Sequence, residues 1–266
     1  MDKTQLITFY DQDQRKDVQY PFTQREVFPH LVRHINTAWD EGFVIYSLLN
    51  ESNVEETIRE QITYFEKLGK DFEWKLYEHD QPSNLKERLQ AHGFKIEEPE
   101  ATLVLDLQEA PKILLKPITH TIRQITDPEH IEMVQQIEEE VWQEDYTQLA
   151  NILTRTLIEY PENIRIYVAY IEEKPVSVAW MYLPQGSRFA SLWGGSTLET
   201  YRGRGLYTAL LAVRLQEAMR RQREFLTVDA GPLSRPILEK FGFQMIGFSY
   251  PCKWQAKDKN SHLPAS

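Results

Sequence analysis

Apolar positions recur along the chain at two periods, and the alternation between them sets out the elements. Phe43-Val44-Ile45-Tyr46-Ser47-Leu48-Leu49 is a near-continuous apolar run after Gly42 and predicts a buried strand. Ile58, Ile62, Phe65 and Leu68 then fall on one face at helical spacing. Ser52 with Glu55 forms a capping box before them, and Gly69 stops the helix. Phe72, Trp74 and Leu76 alternate with charged residues, which predicts a half-exposed strand. Ser83 is placed to cap a short helix, Leu85 to Ala91, closed by His92-Gly93-Phe94 and followed by a strand from Ala101 to Leu107. Upstream, Leu6 to Tyr10 reads as a short strand. Thr23 with Glu26 reads as a capping box opening a helix through Val27 and Leu31 to Ala38, with Pro29 in its first turn.

Residues 108–118 carry Pro111 and Pro117 and lack a period, which places a boundary between domains of residues 1–115 and 116–266. Thr121 to Ile125 opens the second half as a strand. Asp127 and Pro128 start a helix bearing Ile131, Val134, Ile137 and Val141, and a second helix runs from Thr147 to Glu159. Strands follow at Ile164 to Ile171, Val176 to Leu183 and Phe189 to Trp193. The next helix carries Leu206, Leu210, Leu211, Leu215, Ala218 and Met219 at spacings of three and four. Then come a strand from Phe225 to Asp229, a helix from Ser234 to Phe241, the pair Gly242-Phe243 and a last strand from Met245 to Tyr250. The polar tail after Trp254 is expected to fray. Helix, strand, short helix, Gly-Phe and strand thus occur in the same order in both halves. Two tandem copies of one fold are expected, the alternative being a single domain with an α/β N-terminal extension.

Composition narrows the function classes. With 41% hydrophobic residues the chain can build a core in each half. Its net charge of −10 offers no field for nucleic acid and favours a cationic partner such as an amine. The single Cys252 excludes an internal disulfide framework and fits a reducing compartment. The N-terminus lacks a signal-peptide core, and no apolar run reaches bilayer length. The expectation is a soluble cytoplasmic protein without a membrane partner, and a homodimer is left open.

The chemistry concentrates at Thr197-Leu198-Glu199-Thr200-Tyr201-Arg202-Gly203-Arg204-Gly205-Leu206-Tyr207-Thr208. A strand, a glycine turn and a helix start make an anion site, because the first N–H groups of a helix lack internal partners and the dipole adds positive potential. Gly203 and Gly205 admit close approach, and Arg202 and Arg204 add charge. A dinucleotide fingerprint would need Gly at position 208, where Thr208 stands, and the Gly-Lys-Ser/Thr of a nucleotide loop is absent. Together with Glu239-Lys240-Phe241-Gly242-Phe243, the turn resembles the GNAT superfamily of acyl-CoA-dependent N-acyltransferases. That family's Arg/Gln-x-x-Gly-x-Gly/Ala falls on Arg202, Gly205 and Tyr207, with Tyr in place of the last small residue. The resemblance covers about residues 121–253, and the first half looks like a degenerate copy.

The resemblance implies an α+β fold in α/β/α layers, with a mixed, mostly antiparallel central sheet and flanking helices. It implies acetyl-CoA as cosubstrate and no metal. Backbone N–H groups from Arg202 through Gly203, Arg204, Gly205 and Leu206 to Tyr207 would hold the pyrophosphate, with the Thr208 hydroxyl beside them. Thr197, Leu198 and Glu199 would lie along the pantetheine, and an N–H near Leu198 would stabilise the oxyanion. A small-molecule primary amine would attack directly once its proton is removed. The family's usual Tyr proton donor falls on Leu238, and its usual Asn falls near Gly231. Asp229 is the preferred base or amine-binding carboxylate, its plainer role being a turn cap; Ser234 and Tyr207 are the other candidates for proton transfer.

Weaker features compete with plainer readings. Glu138, Glu139, Glu140 and Glu144 lie where the family often lines its acceptor site, yet a solvated helix face is the preferred reading. Trp142, Trp180 and Trp193 could wall a pocket, with core positions as the simpler reading. His30 and His34 have one-face helical spacing but no third ligand, so packing is preferred to a metal. Cys252 reads as a buried structural thiol. The first half has Asn50-Glu51-Ser52-Asn53-Val54-Glu55-Glu56 where the second has glycines, and its acids would repel pyrophosphate; it is expected to bind no coenzyme A. An acetyltransferase is thus expected, with an acyl-CoA sensor or a peptide N-acetyltransferase as alternatives.

Overall fold

The computed structural model describes residues 1–256. Beyond Ala256, the tail expected to fray lies outside the described residues. In chain order the elements are α1 (Lys3–Tyr10), β1 (Thr23–Phe28), β2 (Leu31–Asn36), β3 (Glu41–Ser47), α2 (Val54–Leu68), β4 (Asp71–Tyr77), α3 (Leu85–Ala91), β5 (Lys95–Ile96) and β6 (Glu100–Asp106). They continue as β7 (Thr121–Ile125), α4 (Ile131–Trp142), α5 (Thr147–Glu159), β8 (Ile164–Ile171), β9 (Lys174–Tyr182), β10 (Phe189–Thr197), α6 (Leu206–Arg220), β11 (Phe225–Ala230), α7 (Arg235–Lys240) and β12 (Gln244–Trp254). The chain divides into two compact units. Among the described residues, the N-terminal unit takes 2–103, 229–235 and 245–256; the C-terminal unit takes 104–228 and 236–244, with Met1.

In the N-terminal unit the strand order is β1-β2-β3-β4-β12, and β5 also pairs β12. β1, β2 and β3 run antiparallel, whereas β3 and β4 are parallel and joined by α2. The parallel pairing joins Glu41–Val44 to Asp71–Trp74 and stops there. Ile45 is skipped in the β2–β3 register, so a bulge sits where the parallel strands part. α2 lays Val54, Ile58 and Phe65 onto a core with Val44, Phe72, Trp74 and Leu89, and the Phe65 and Phe72 rings stack at 4.3 Å.

The C-terminal unit repeats the plan. Its order is β11-β10-β9-β8-β7, with β7 to β10 antiparallel and β10 parallel to β11 through α6. Parallel pairing covers only Phe189–Ser191 with Phe225–Thr227, and the bulge falls at Gly195, between Gly194 and Ser196. The fold is therefore a mixed, mostly antiparallel sheet with flanking helices, and its strand–helix–strand centre with a bulge is present in both units.

Two N-terminal expectations are corrected. Leu6 to Tyr10 lies in a helix, α1, whose first turn is capped by Asp2 Oδ1 accepting from Gln5 N. Its two buried residues, Leu6 and Tyr10, are four apart, a helical stripe that the β-favouring composition hid. The helix expected from Thr23 to Ala38 is the β1–β2 hairpin, turning at Pro29-His30. Pro29 supplies a turn here, and the buried run Leu31 to Ile35 satisfies its backbone across two neighbours. The His30–His34 helical pair dissolves with that helix. His34 is buried and stacks on Phe43 at 5.0 Å, while His30 Nε2 lies 3.3 Å from Thr57 Oγ1.

Candidate functional site

The turn before α6 is built for an anion. Gly203 and Gly205 adopt φ of 75° and 77°, the left-handed region that a side chain would strain, and Gly205 is the N-cap of α6. Among the described residues, the backbone N–H groups of Gly203, Arg204, Gly205, Leu206, Tyr207 and Thr208 find no acceptor. Six successive donors at a helix N-terminus form an anion nest. Arg202 to Gly205 are exposed. Arg202 Nε donates to Thr197 O at 3.1 Å and Arg204 Nη2 to Thr200 O at 3.3 Å, which bends the turn back on the strand end. His120 Nε2 lies 3.0 Å from Arg204 O and braces the turn from outside.

Leading into the turn, β10 meets a different helix on consecutive residues. Gly195 lies against the Tyr207 ring of α6, and Ser196 against Glu138 and Trp142 of α4. Only glycine fits at Gly194, where an added Cβ would stand 2.3 Å from the Trp180 ring at a φ of 65°. Arg214 of α6 is buried and donates to the carbonyls of Leu210, Trp180 and Trp193, the last two being cross-strand partners. Burial lowers its pKa to about 10. The guanidinium thereby pins β9 and β10 just before the bulge. Thr197 Oγ1 sits 2.7 Å from Ser177 Oγ. The Leu198 N–H, expected to face an oxyanion, donates instead to Val176 O at 3.0 Å, because the β9–β10 ladder resumes after the bulge and runs one residue past Thr197. Glu199 opens a short helical turn through Tyr201.

The three expected proton-transfer residues lie in different settings. Asp229 and Ser234 belong to the N-terminal unit, Tyr207 to the C-terminal one. Asp229 Oδ2 receives Lys75 Nζ at 2.6 Å and its Oδ1 receives Thr102 Oγ1 at 2.9 Å, so both oxygens are engaged. Burial opposes the Lys75 charge, yet Asp229 and then Glu100 hold its pKa above the usual value. Ser234 Oγ donates to Gly231 O at 3.3 Å. Tyr207 is half-buried, and burial raises its pKa. Leu238, where the family's Tyr would stand, is buried.

Among Glu138, Glu139, Glu140 and Glu144, Glu138 alone is buried. Its Oε2 accepts from Ser196 Oγ at 2.8 Å, its Oε1 has no partner among the described residues, and Trp142 Nε1 donates to the same Ser196 oxygen at 3.0 Å. Helical spacing held the signal for this: Glu138 shares the stripe of Ile131 and Val134, whereas Glu140 and Glu144 do not. Trp180 is core, as the simpler reading expected, but Trp142 and Trp193 are half or more exposed.

The N-terminal unit fills the corresponding bulge with its own chain. Arg15 Nε donates to Ile45 O at 2.9 Å, its Nη2 bonds both oxygens of Asp80 at 2.8 Å, and its guanidinium faces the Tyr46 and Tyr77 rings at 5.2 and 4.1 Å. Burial works against the charge, but Asp80 and Asp11 keep it protonated. One partner of Arg15, Asp11, is local at four residues, but the Ile45 carbonyl and Asp80 that fix its place in the bulge are 30 and 65 residues away. Cys252 is buried in this unit, and burial raises its pKa to about 12. No group of three potential metal ligands occurs among the described residues, and no helix there is long and apolar enough to cross a membrane.

A splayed parallel pair, bulged on one strand and joined by a helix that opens on an amide nest, defines the class of N-acyltransferase folds. Within it, residues 130–243 match the acetyltransferase (GNAT) family model, and that stretch is a GNAT domain. Solved structures match nearly the whole chain. A GCN5-related N-acetyltransferase from Kribbella flavida is 15% identical with a TM-score of 0.66, covering 98% of this chain and 95% of its own. A functionally unknown conserved protein from Staphylococcus epidermidis is 14% identical with a TM-score of 0.67, covering 92% and 97%. A tandem GNAT protein from the clavulanic acid biosynthesis pathway is 13% identical with a TM-score of 0.61, covering 91% and 86%. At these identities the likeness carries the fold. No curated protein matches the sequence.

Proposed function

We propose that this protein transfers an acetyl group from acetyl-CoA to the primary amine of a small molecule, using the C-terminal unit. The observation that carries the reading is the row of six amides from Gly203 to Thr208, unpartnered among the described residues, at the N-terminus of α6, with Arg202 and Arg204 exposed beside it. That donor set fits a pyrophosphate, which needs several donors and positive potential. Thr197, Leu198 and Glu199 would line the pantetheine, and the oxyanion donor is sought at the Gly195 bulge, since the Leu198 amide is engaged. The amine nitrogen attacks the thioester carbon, and coenzyme A departs. With Leu238 in place of a Tyr, the thiol leaves as its anion, which a low thiol pKa permits.

On this reading the chain is a tandem protein with a degenerate domain at residues 1–115 and a catalytic domain at 116–266, acting in the cytoplasm. The degenerate half takes no coenzyme A, because its bulge holds Arg15 and its connection carries Glu51, Glu55 and Glu56. Asp229 enters as base only if its bonds to Lys75 and Thr102 open. Those bonds and the apolar Leu238 favour the second reading, an acyl-CoA sensor. Coenzyme A release at saturating acetyl-CoA, with an amine panel and a peptide panel, decides. Small-amine-dependent release supports the proposal, acetyl-CoA binding without release supports the sensor, and peptide-only release supports a peptide acetyltransferase.

A further inference from the structure

We propose, on the reading just given, that Glu138 takes the proton of the attacking amine and does so through the Ser196 hydroxyl. Three observations lead there. First, Glu138 is 3% exposed and its Oε1 has no hydrogen-bond partner among the described residues. A buried carboxylate with a single donor costs stability that packing does not return, so the fold retains it at a cost. Second, among the described residues no cation acts on its charge. The groups facing it are Ser196 from β10, Trp142 from its own helix and Tyr146 from the turn into α5, whose own pKa is raised by burial and then by the Glu138 and Glu144 charges; β9 adds no charged partner. Burial raises the Glu138 pKa, in the direction that suits a base working near neutrality. Third, its one donor stands next to the Gly195 bulge, on the strand that runs into the anion nest.

The hydrogen bonds set the direction of transfer. Ser196 Oγ receives Trp142 Nε1–H and gives its own proton toward Glu138 Oε2, which leaves the oxygen a lone pair for an incoming N–H. As the amine nitrogen bonds to the thioester carbon, its proton passes to Ser196 Oγ while the Ser196 proton passes to Glu138 Oε2. Collapse then breaks the carbon–sulfur bond and releases the thiolate. Glu138 returns the proton to solvent, so that amide and free coenzyme A are the net products. Tyr207, on the other helix, is not needed for this step.

The test compares wild type, Glu138→Gln and Ser196→Ala in coenzyme A release across pH 6 to 9, using the best amine of the panel, alongside acetyl-CoA binding by calorimetry. Glu138→Gln is expected to lower kcat by about 10²–10⁴-fold, to leave the acetyl-CoA Kd within about twofold and to lose the acid limb of the pH profile. Ser196→Ala lowers kcat in the same direction. Wild-type kcat and an unchanged pH profile in Glu138→Gln overturn the proposal while leaving the proposed function standing. If Glu138→Gln does not fold, Ser196→Ala decides, and wild-type turnover in it overturns the relay. Wild-type protein that binds no acetyl-CoA, or binds it without turning over any amine, overturns the proposed function itself and the relay with it.

Discussion

Arg15 gives its Nε proton to the carbonyl of Ile45, the residue the β2–β3 register skips, and so closes the bulge of the N-terminal unit from within. Its charge is matched by Asp80 and Asp11. Arg15→Ala leaves Asp80 buried without its partner and is expected to cost about 3–5 kcal/mol. Urea unfolding followed by Trp74 fluorescence checks the loss. The acetyl-CoA Kd of the same variant stays at the wild-type value, since the nest lies in the other unit.

The nest itself is tested at Gly205. An added side chain would be strained at a φ of 77°, and Glu would put a negative charge in the turn proposed to hold the pyrophosphate. Gly205→Glu is expected to weaken acetyl-CoA binding by about 100-fold or more, read by calorimetry. Unchanged affinity would remove the turn from the binding site.

Gly194→Ala places a methyl group 2.3 Å from the Trp180 ring. Overpacking of this kind costs about 1–3 kcal/mol and displaces the strand that carries Gly195 and Ser196. Both the thermal midpoint and kcat are expected to fall, with kcat falling further than the stability loss alone explains.

Lys75 and Asp229 form a largely buried pair within the N-terminal unit. A double-mutant cycle of Lys75→Met and Asp229→Asn is expected to show a coupling of about 0.5–3 kcal/mol in stability. Turnover separates the roles of Asp229. A base would lose kcat in Asp229→Asn at unchanged stability, whereas a bracing ion pair loses stability first.

His34 sets an acid limit. Burial, helped by Arg25, lowers its pKa to about 4, and its buried Nε2 has no partner among the described residues. The unfolded chain, with an ordinary histidine, therefore binds more protons than the folded one between about pH 6.5 and pH 4. Stability from this group is complete above that window and is lost as pH falls through it. Unfolding free energies measured at pH 7, 5.5 and 4.5 should decline with a slope of up to about 1.4 kcal/mol per unit, and His34→Phe should flatten it.

Most of the C-terminal unit was legible because its signals are local. Asp127 caps its turn by accepting from Glu129 N, the Leu206 stripe is a helix, and Arg202 to Thr208 carry their glycines and charges in one short segment. The hairpin at Pro29 was not legible, because Thr23 and Glu26 mimic a helix start while strand pairing with β3 decides the outcome. At the candidate site, the conformation of the glycine turn was readable, and the partners of the expected proton-transfer residues were not. Glu138 differs from Glu139 only in which way a helix turns it. Asp229 looks available in sequence and becomes engaged only when Lys75 and Thr102 arrive from more than a hundred residues away.

The Arg15 plug also makes the N-terminal unit a receptor with a tethered ligand. Because guanidinium and cradle share one chain, occupancy depends on the tether and not on any concentration in the surroundings. Trimming the arginine to alanine converts this constant into a variable: Tyr46, Tyr77, Asp80 and the Ile45 carbonyl would then form a vacant host for a free guanidinium ion. Low millimolar guanidinium, far below denaturing levels, should raise the melting temperature of Arg15→Ala and leave wild type unmoved.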